Sequence, residues 1–204
     1  MLTNIRAELG IKNLLLMYVG NLESYQGIDL LLESFTLTLK NTDKADLVII
    51  GGEASDIQKY TQKAHQLGIK ENVHFLGSKP VEHLAFYLEQ ADILVSPRVK
   101  GKNTPMKLYS YLDSGKVLLA TNLSTHTQLL DDQISMLAAP NAKAYSVGML
   151  RLLKDRTLRQ RLGKAGKTLI QQRHTYTAFS EQLNTLYDWL HTELVQGVGS
   201  PLML

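Results

Sequence analysis

The residues best suited to chemistry crowd into SPRVKGKNTPMKLYSYLDSGK at 96 to 116, where Arg98, Lys100, Lys102 and Lys107 occur with no acidic residue until Asp113. A one-signed cluster leading into a helix suits an anion such as phosphate, because the cations and the unpaired N–H groups of a first turn attract the same charge. Thr104 is placed to cap that helix, Pro105 to take its first position and Gly115 to end it. Lys107 then lies in the first turn, against the macrodipole, and calls for an anionic partner or for solvent. Met106 beside it suits a sugar contact or a staple on the helix. The plain alternative for the whole cluster is a solvated surface loop.

Two further loops have glycines that would let backbone approach a ligand. GNLESYQG at 20 to 27 has Gly20 and Gly27 at its ends and Asn21 and Gln26 between them. It matches neither the G-x-G-x-x-G fingerprint nor the Walker sequence, so dinucleotide and P-loop chemistry lose support. Gly51 and Gly52 follow LVII, and Glu53 is a first-turn acid complementing a helix dipole. Tight turns alone would explain both loops.

Other chemistries find no residues. The histidines at 65, 74, 83, 126, 174 and 191 form neither H-x-x-x-H nor H-E-x-x-H, so no metal site is expected. His126, after the fifth apolar run, suits a local hydrogen bond better than a ligand contact. There is no G-x-S-x-G elbow. Cysteine is absent, which removes thiolate nucleophiles, disulfides and Cys-ligated metals. Tyr109 and Tyr111 straddle Ser110 on different helix faces and do not indicate base stacking.

These loops need elements to hold them. Short apolar runs alternate with stretches of helical period, the signature of a parallel sheet wrapped by helices. Strands are expected at Leu14 to Val19, Leu47 to Ile50, Val73 to Leu76, Ile93 to Ser96, Val117 to Ala120 and Ile134 to Ala138. The runs are too apolar to alternate, as strands buried on both faces should be. Ile28, Leu31, Leu32, Phe35 and Leu39 mark one amphipathic helix, and Leu84, Tyr87, Leu88 and Ala91 another. After Asn141 only helices follow, the last with Phe179, Leu183, Leu186, Leu190 and Leu194 on one stripe. The expected fold is α/β: a single Rossmann-like domain over 1–195, about six parallel strands with helices on both faces, and a helical C-terminal tail that frays over 196–204. Ligands of such sheets bind beyond the carboxyl ends of the strands.

The chain has 204 residues, 44% of them hydrophobic, enough for one sizeable core. Its net charge of +3 is too small to imply nucleic acid as a partner. No apolar run approaches a bilayer span and no basic-then-apolar leader opens the sequence, so a cytoplasmic protein is expected. Lys154, Arg156, Arg159, Arg161, Lys164 and Lys167 form a basic stretch that suits a solvated helix face, with peripheral contact at the inner membrane face as the alternative.

Taken together, YVGNLESYQGIDLLLESF, LVIIGGE, VHFLG and ADILVSPR followed by NTPMKLYSYLDSGKVLLAT closely resemble the C-terminal, nucleotide-sugar-binding half of family 4 retaining glycosyltransferases of the GT-B fold. The resemblance covers roughly residues 5 to 195. It implies a nucleotide-diphosphate sugar as donor substrate, no required cofactor or metal, and an N-terminal acceptor domain that this chain lacks. It implies donor contacts from Gly20, Asn21, Gln26, Gly27, Gly52, Lys79, Arg98, Lys102, Asn103, Thr104, Met106, Lys107 and Ser110, and leaves the catalytic residues unknown. The family's first-loop arginine and lysine fall at Asn21 and Gln26, and its paired glutamates near Lys102 and Ser110. Arg98, Lys102 or Lys107 is then expected to supply the missing positive charge. The last helix, which in the family crosses back to the other domain, is expected to expose apolar residues near Trp189 and Leu190.

Overall fold

Strand residues in this chain bury alternately into two separate cores, which is why the apolar runs are continuous. In the computed structural model, which describes residues 4–197, Leu16 and Tyr18 of the first strand enter one core and Leu15 and Met17 the other. Leu47 and Ile49 oppose Val48 and Ile50 in the same way. Each fully buried leucine or isoleucine contributes about 1.5–3 kcal/mol, so a sheet covered on both sides dominates the stability of the domain.

The elements follow in the order α1 (Ile5–Glu8), β1 (Leu14–Val19), α2 (Ile28–Leu39), β2 (Ala45–Ile50), α3 (Ala54–Gln66), β3 (Val73–Phe75), α4 (Leu84–Glu89), β4 (Ile93–Ser96), α5 (Lys107–Asp113), β5 (Val117–Thr121), α6 (Ser124–Thr127), β6 (Met136–Ala138), α7 (Ala142–Lys154), α8 (Arg156–Arg173) and α9 (Tyr176–Gly197). The six strands form one parallel sheet in the order β3-β2-β1-β4-β5-β6. Helices α2, α3 and α7 cover one face through Phe35, Tyr60 and Tyr145, and α1, α4 and α5 cover the other through Ile5, Leu88 and Leu112. Arg6 of α1 pairs with Asp92, which also accepts from the Leu15 N–H at 2.8 Å and so ties α1 to the start of β1.

Several boundaries differ from expectation. β2 begins two residues before Leu47, at Ala45, because pairing with Leu14 extends it. β3 stops at Phe75, β5 runs on to Thr121, and β6 keeps only Met136–Ala138 of the expected run because Ile134 and Ser135 belong to a turn bonded to Asp131 O. α5 starts at Lys107, two residues after Pro105, and Thr104 does not cap it. The Thr104 hydroxyl donates instead to Gln128 Oε1 at 2.6 Å, a long-range partner that local pattern does not reveal. Gly115 ends the helix as expected, its N–H donating to Leu112 O.

The basic stretch of α8 is an outer face: Arg156, Arg161, Lys164 and Lys167 are exposed while Leu158 and Leu162 are buried. On α9 the apolar stripe is exposed throughout, with Phe179, Leu183, Leu186, Leu190 and Leu194 all accessible and Trp189 at 57%. The exposure expected near Trp189 and Leu190 is therefore present. The expected frayed segment from 196 begins within α9, and beyond Gly197 it lies outside the described residues.

Trp189 is the only tryptophan in the sequence. Its emission is expected to be solvent-like and readily quenched by acrylamide; a protected, blue-shifted emission would mean that another surface covers α9.

Candidate functional site

Strand order reverses between β1 and β4, and parallel sheets hold ligands in the crevice beyond the carboxyl ends at such a point. The loop after β1 and the loop after β4 meet there and are knitted together. The Val99 N–H donates to Tyr25 O at 2.9 Å, and the Arg98 guanidinium lies 5.1 Å from the Tyr25 ring centroid. Gly27 has φ 77, and a Cβ there would lie 2.0 Å from Pro97 O, so only glycine lets the two backbones approach. Beside them a Cβ on Gly51, φ 111, would lie 2.2 Å from Gly20 O, so glycine is needed there too. The glycine pair after β2 thus serves close packing.

Lys107 opens α5 and turns its side chain back over the end of β1. Its Nζ is 4.0 Å from the centroid of the Tyr18 ring and donates to Gln26 Oε1 at 3.3 Å. A Cβ on Gly20 would come within 2.6 Å of that nitrogen, so Gly20 leaves the space the ammonium occupies. Two tyrosines lock the framework. The Tyr18 hydroxyl donates to Asn21 O at 2.7 Å. The Tyr111 hydroxyl, on α5, accepts from the Val19 N–H at 2.7 Å and donates to Val19 O at 3.1 Å, pinning the helix to the strand. Burial, with the Arg98 charge second, lowers the Lys107 amine to about 7. Such a group is poised to gain a proton when an anion arrives.

The structure brings together Gly20, Asn21, Gln26, Gly27 and Lys107 of the expected residues. Gly52 and Lys79 line an adjoining cavity of about 390 Å³ with Gly20, Asn21, Glu23 and Glu53. Arg98 is not an open ligand arm. It is 7% exposed, donating from Nε to Lys100 O at 2.8 Å and from Nη1 to Asn103 O at 3.0 Å, with Nη2 at 3.3 Å from Asn103 Oδ1. It shapes its own loop, and its charge still reaches Lys107. Lys102, Asn103 and Met106 are exposed on that loop, and Thr104 points to Gln128. Ser110 lies elsewhere, lining a separate cavity with Val81, Glu82, Leu84, Asp113 and Lys167. Tyr18, Tyr25 and Tyr111 were invisible as site residues in the sequence, because their positions read as ordinary core or turn.

His126 makes the local bonds its position suggests, and more. It is fully buried, with Nε2 2.9 Å from Ser96 Oγ and Nδ1 2.8 Å from Thr121 O, while the Thr121 hydroxyl donates to Arg98 O at 2.5 Å. The network holds the root of the loop after β4. Burial lowers the His126 imidazole to about 4; its bond to Thr121 O acts the other way, and the Arg98 and Lys107 charges lower it further. The unfolded chain therefore binds this proton first. Stability present above about pH 6.5 is lost as pH falls toward about 4, by about 3 kcal/mol in all. Denaturation at pH values across this range should show the loss, and His126→Gln should flatten the dependence; an equal slope in both proteins would contradict the assignment.

Among the described residues, no three histidine, aspartate or glutamate side chains come together as they would to hold a metal ion. No helix described is long and apolar enough to cross a membrane.

Comparison with known proteins places this architecture. Among curated relatives, the phosphatidyl-myo-inositol mannosyltransferase of Mycobacterium leprae is 23% identical over 172 residues, covering 83% of this chain and 45% of that protein. Among solved structures, Anabaena Alr3699/HepE in complex with UDP and glucose superposes with a TM-score of 0.81 at 13% identity, over 92% of this chain and 52% of that one. The C-terminal domain of the group 1 glycosyl transferase LpcC from Francisella tularensis superposes with a TM-score of 0.73 at 19% identity, over 85% of this chain and 95% of that domain. The fold is that of one half of a GT-B glycosyltransferase, and the chain spans about half the length of the curated relatives it matches. The family model described as glycosyl transferases group 1 matches residues 3–169, and the chain belongs to that family.

Proposed function

We propose that this chain is the donor-binding half of a retaining glycosyltransferase, holding a nucleotide-diphosphate sugar in the crevice between β1 and β4. The observation that carries the reading is the Lys107 ammonium, held over Gly20 at the switch point where a diphosphate would lie. The bound UDP of the HepE structure lends support by likeness of fold.

In this reading the bond between the anomeric carbon and the diphosphate oxygen breaks, and its electron pair stays on that oxygen. An acceptor hydroxyl forms the new bond on the same face of the sugar and gives up its proton. Lys107 stabilises the charge that develops on the leaving diphosphate, the kind of preorganised electrostatic contribution that commonly dominates catalysis. The groups that orient the acceptor and take its proton belong to an N-terminal acceptor domain, in the same longer chain or in a separate subunit.

The purified chain is therefore expected to bind a nucleotide sugar without efficient transfer. Robust transfer to an acceptor by this polypeptide alone would overturn the division of labour. A second reading, a nucleotide- or phosphate-binding module without catalysis, is favoured by one observation. Where the family places paired glutamates, this chain has exposed Lys102 and, in a separate cavity, Ser110. Failure of transfer even after an acceptor domain is supplied would favour it.

A further inference from the structure

We infer that Tyr18 and Gln26 are positioning residues for Lys107, which hold its ammonium over Gly20 instead of leaving it extended in solvent. The inference rests on the donor-binding reading, and it assigns to an aromatic ring and a neutral amide the task of placing the crevice's cation.

A lysine in the first turn of a helix has no local reason to fold back. It has four rotatable bonds whose freedom is lost on ordering, and the macrodipole repels it. Here three features offset that cost. The Tyr18 ring presents its negative face to Nζ at 4.0 Å, within the range of a cation–π contact. The ring is itself fully buried in the core and anchored through its hydroxyl, which donates to Asn21 O. Gln26, 9% exposed, offers Oε1 as acceptor without adding a negative charge. A carboxylate at 26 would pair with the Lys107 ammonium and repel a diphosphate, whereas the amide accepts from Lys107 without a countercharge and leaves that charge to an arriving anion. Gly20 completes the arrangement by leaving room for it.

If Tyr18 and Gln26 act through Lys107, their effects must vanish when Lys107 is gone. Nucleotide-sugar affinity is to be measured for Tyr18→Leu, Gln26→Leu and Lys107→Met, singly and in pairs. Each of the first two is expected to weaken binding by about tenfold, Tyr18→Phe to recover most of the loss because it keeps the ring, and neither to weaken binding further in the Lys107→Met background. Equal losses with and without Lys107 would overturn the inference. Should Tyr18→Leu fail to fold, Gln26→Leu and its pair with Lys107→Met decide alone.

Should the unaltered chain bind no nucleotide sugar, the donor-binding reading has failed, and the positioning is read from Lys107 directly. Competitive acetylation with mass spectrometry gives the titration midpoint of its amine. A displacement of about half a pH unit or more in Gln26→Leu or Tyr18→Leu supports the inference; an unchanged midpoint in the folded variants overturns it.

Discussion

Lys107→Met is expected to lower nucleotide-sugar affinity by about 10- to 100-fold, the loss of one charge-assisted contact to a diphosphate. The same substitution should make the protein more stable. Burial holds the Lys107 amine near 7 against an ordinary value of 10.5, so the unfolded chain binds the proton more tightly than the folded one. Stability is therefore lost as pH falls from about 10.5 to about 7, and replacing the amine with a methionine of similar length removes that loss, on the order of 2–5 kcal/mol. Loss of binding with gain of stability separates a site residue from a structural one, since misfolding would lower both. Calorimetric titration and chemical denaturation on one preparation test it.

Gly27→Ala is expected to have the largest effect on the fold of the site, costing at least about 3 kcal/mol. Two terms add. An alanine with φ near 77 is strained in the left-handed region, at about 1–2 kcal/mol. Its Cβ would also sit 2.0 Å from Pro97 O, a backbone atom that cannot move without carrying Arg98 and Val99 with it. Gly68→Ala is the control, because its φ of 70 imposes the same backbone strain while nothing lies within 4 Å of the added carbon. The midpoint of thermal unfolding should fall clearly further for Gly27→Ala than for Gly68→Ala, and donor binding should fail only in the former. Equal losses of stability would mean that the approach of the two loops contributes nothing.

The sheet was legible because burial on both faces writes itself into sequence as unbroken apolar runs, and Leu14–Val19 and Ile93–Ser96 appear at the expected residues. The start of α5 was not. Thr104 and Pro105 carry local helix-start signals, but the hydroxyl of Thr104 is taken by Gln128, twenty-four residues on, and the helix waits until Lys107. The candidate site was legible as a set of loops and not as an arrangement. A run of like charges suggested one clamp, yet the fold turns Arg98 into its own loop, leaves Lys102 exposed and brings Lys107 over Gly20. Tyr18 could not be distinguished from its neighbours in LLLMYV, because what sets it apart is its contact with Lys107, eighty-nine positions away. Periodicity reports which face of an element is buried; it does not report what crosses above the end of a strand.

The apolar stripe of α9 is exposed, and the chain spans about half the length of the curated relatives it matches. In the proposed reading, the cation held over Gly20 at the switch point is Lys107, with the Arg98 charge beside it. That placement makes the central claim testable with one titration. UDP-, GDP- and ADP-sugars keep a constant diphosphate charge from about pH 6 to 8, so any change of affinity over that range reports the protein. If the crevice binds the donor through the Lys107 ammonium, one of the three binds with uptake of a proton, and its affinity falls about tenfold between about pH 6 and 8, a dependence absent in Lys107→Met. Binding of none of them, or binding that ignores both pH and Lys107→Met, would contradict the account.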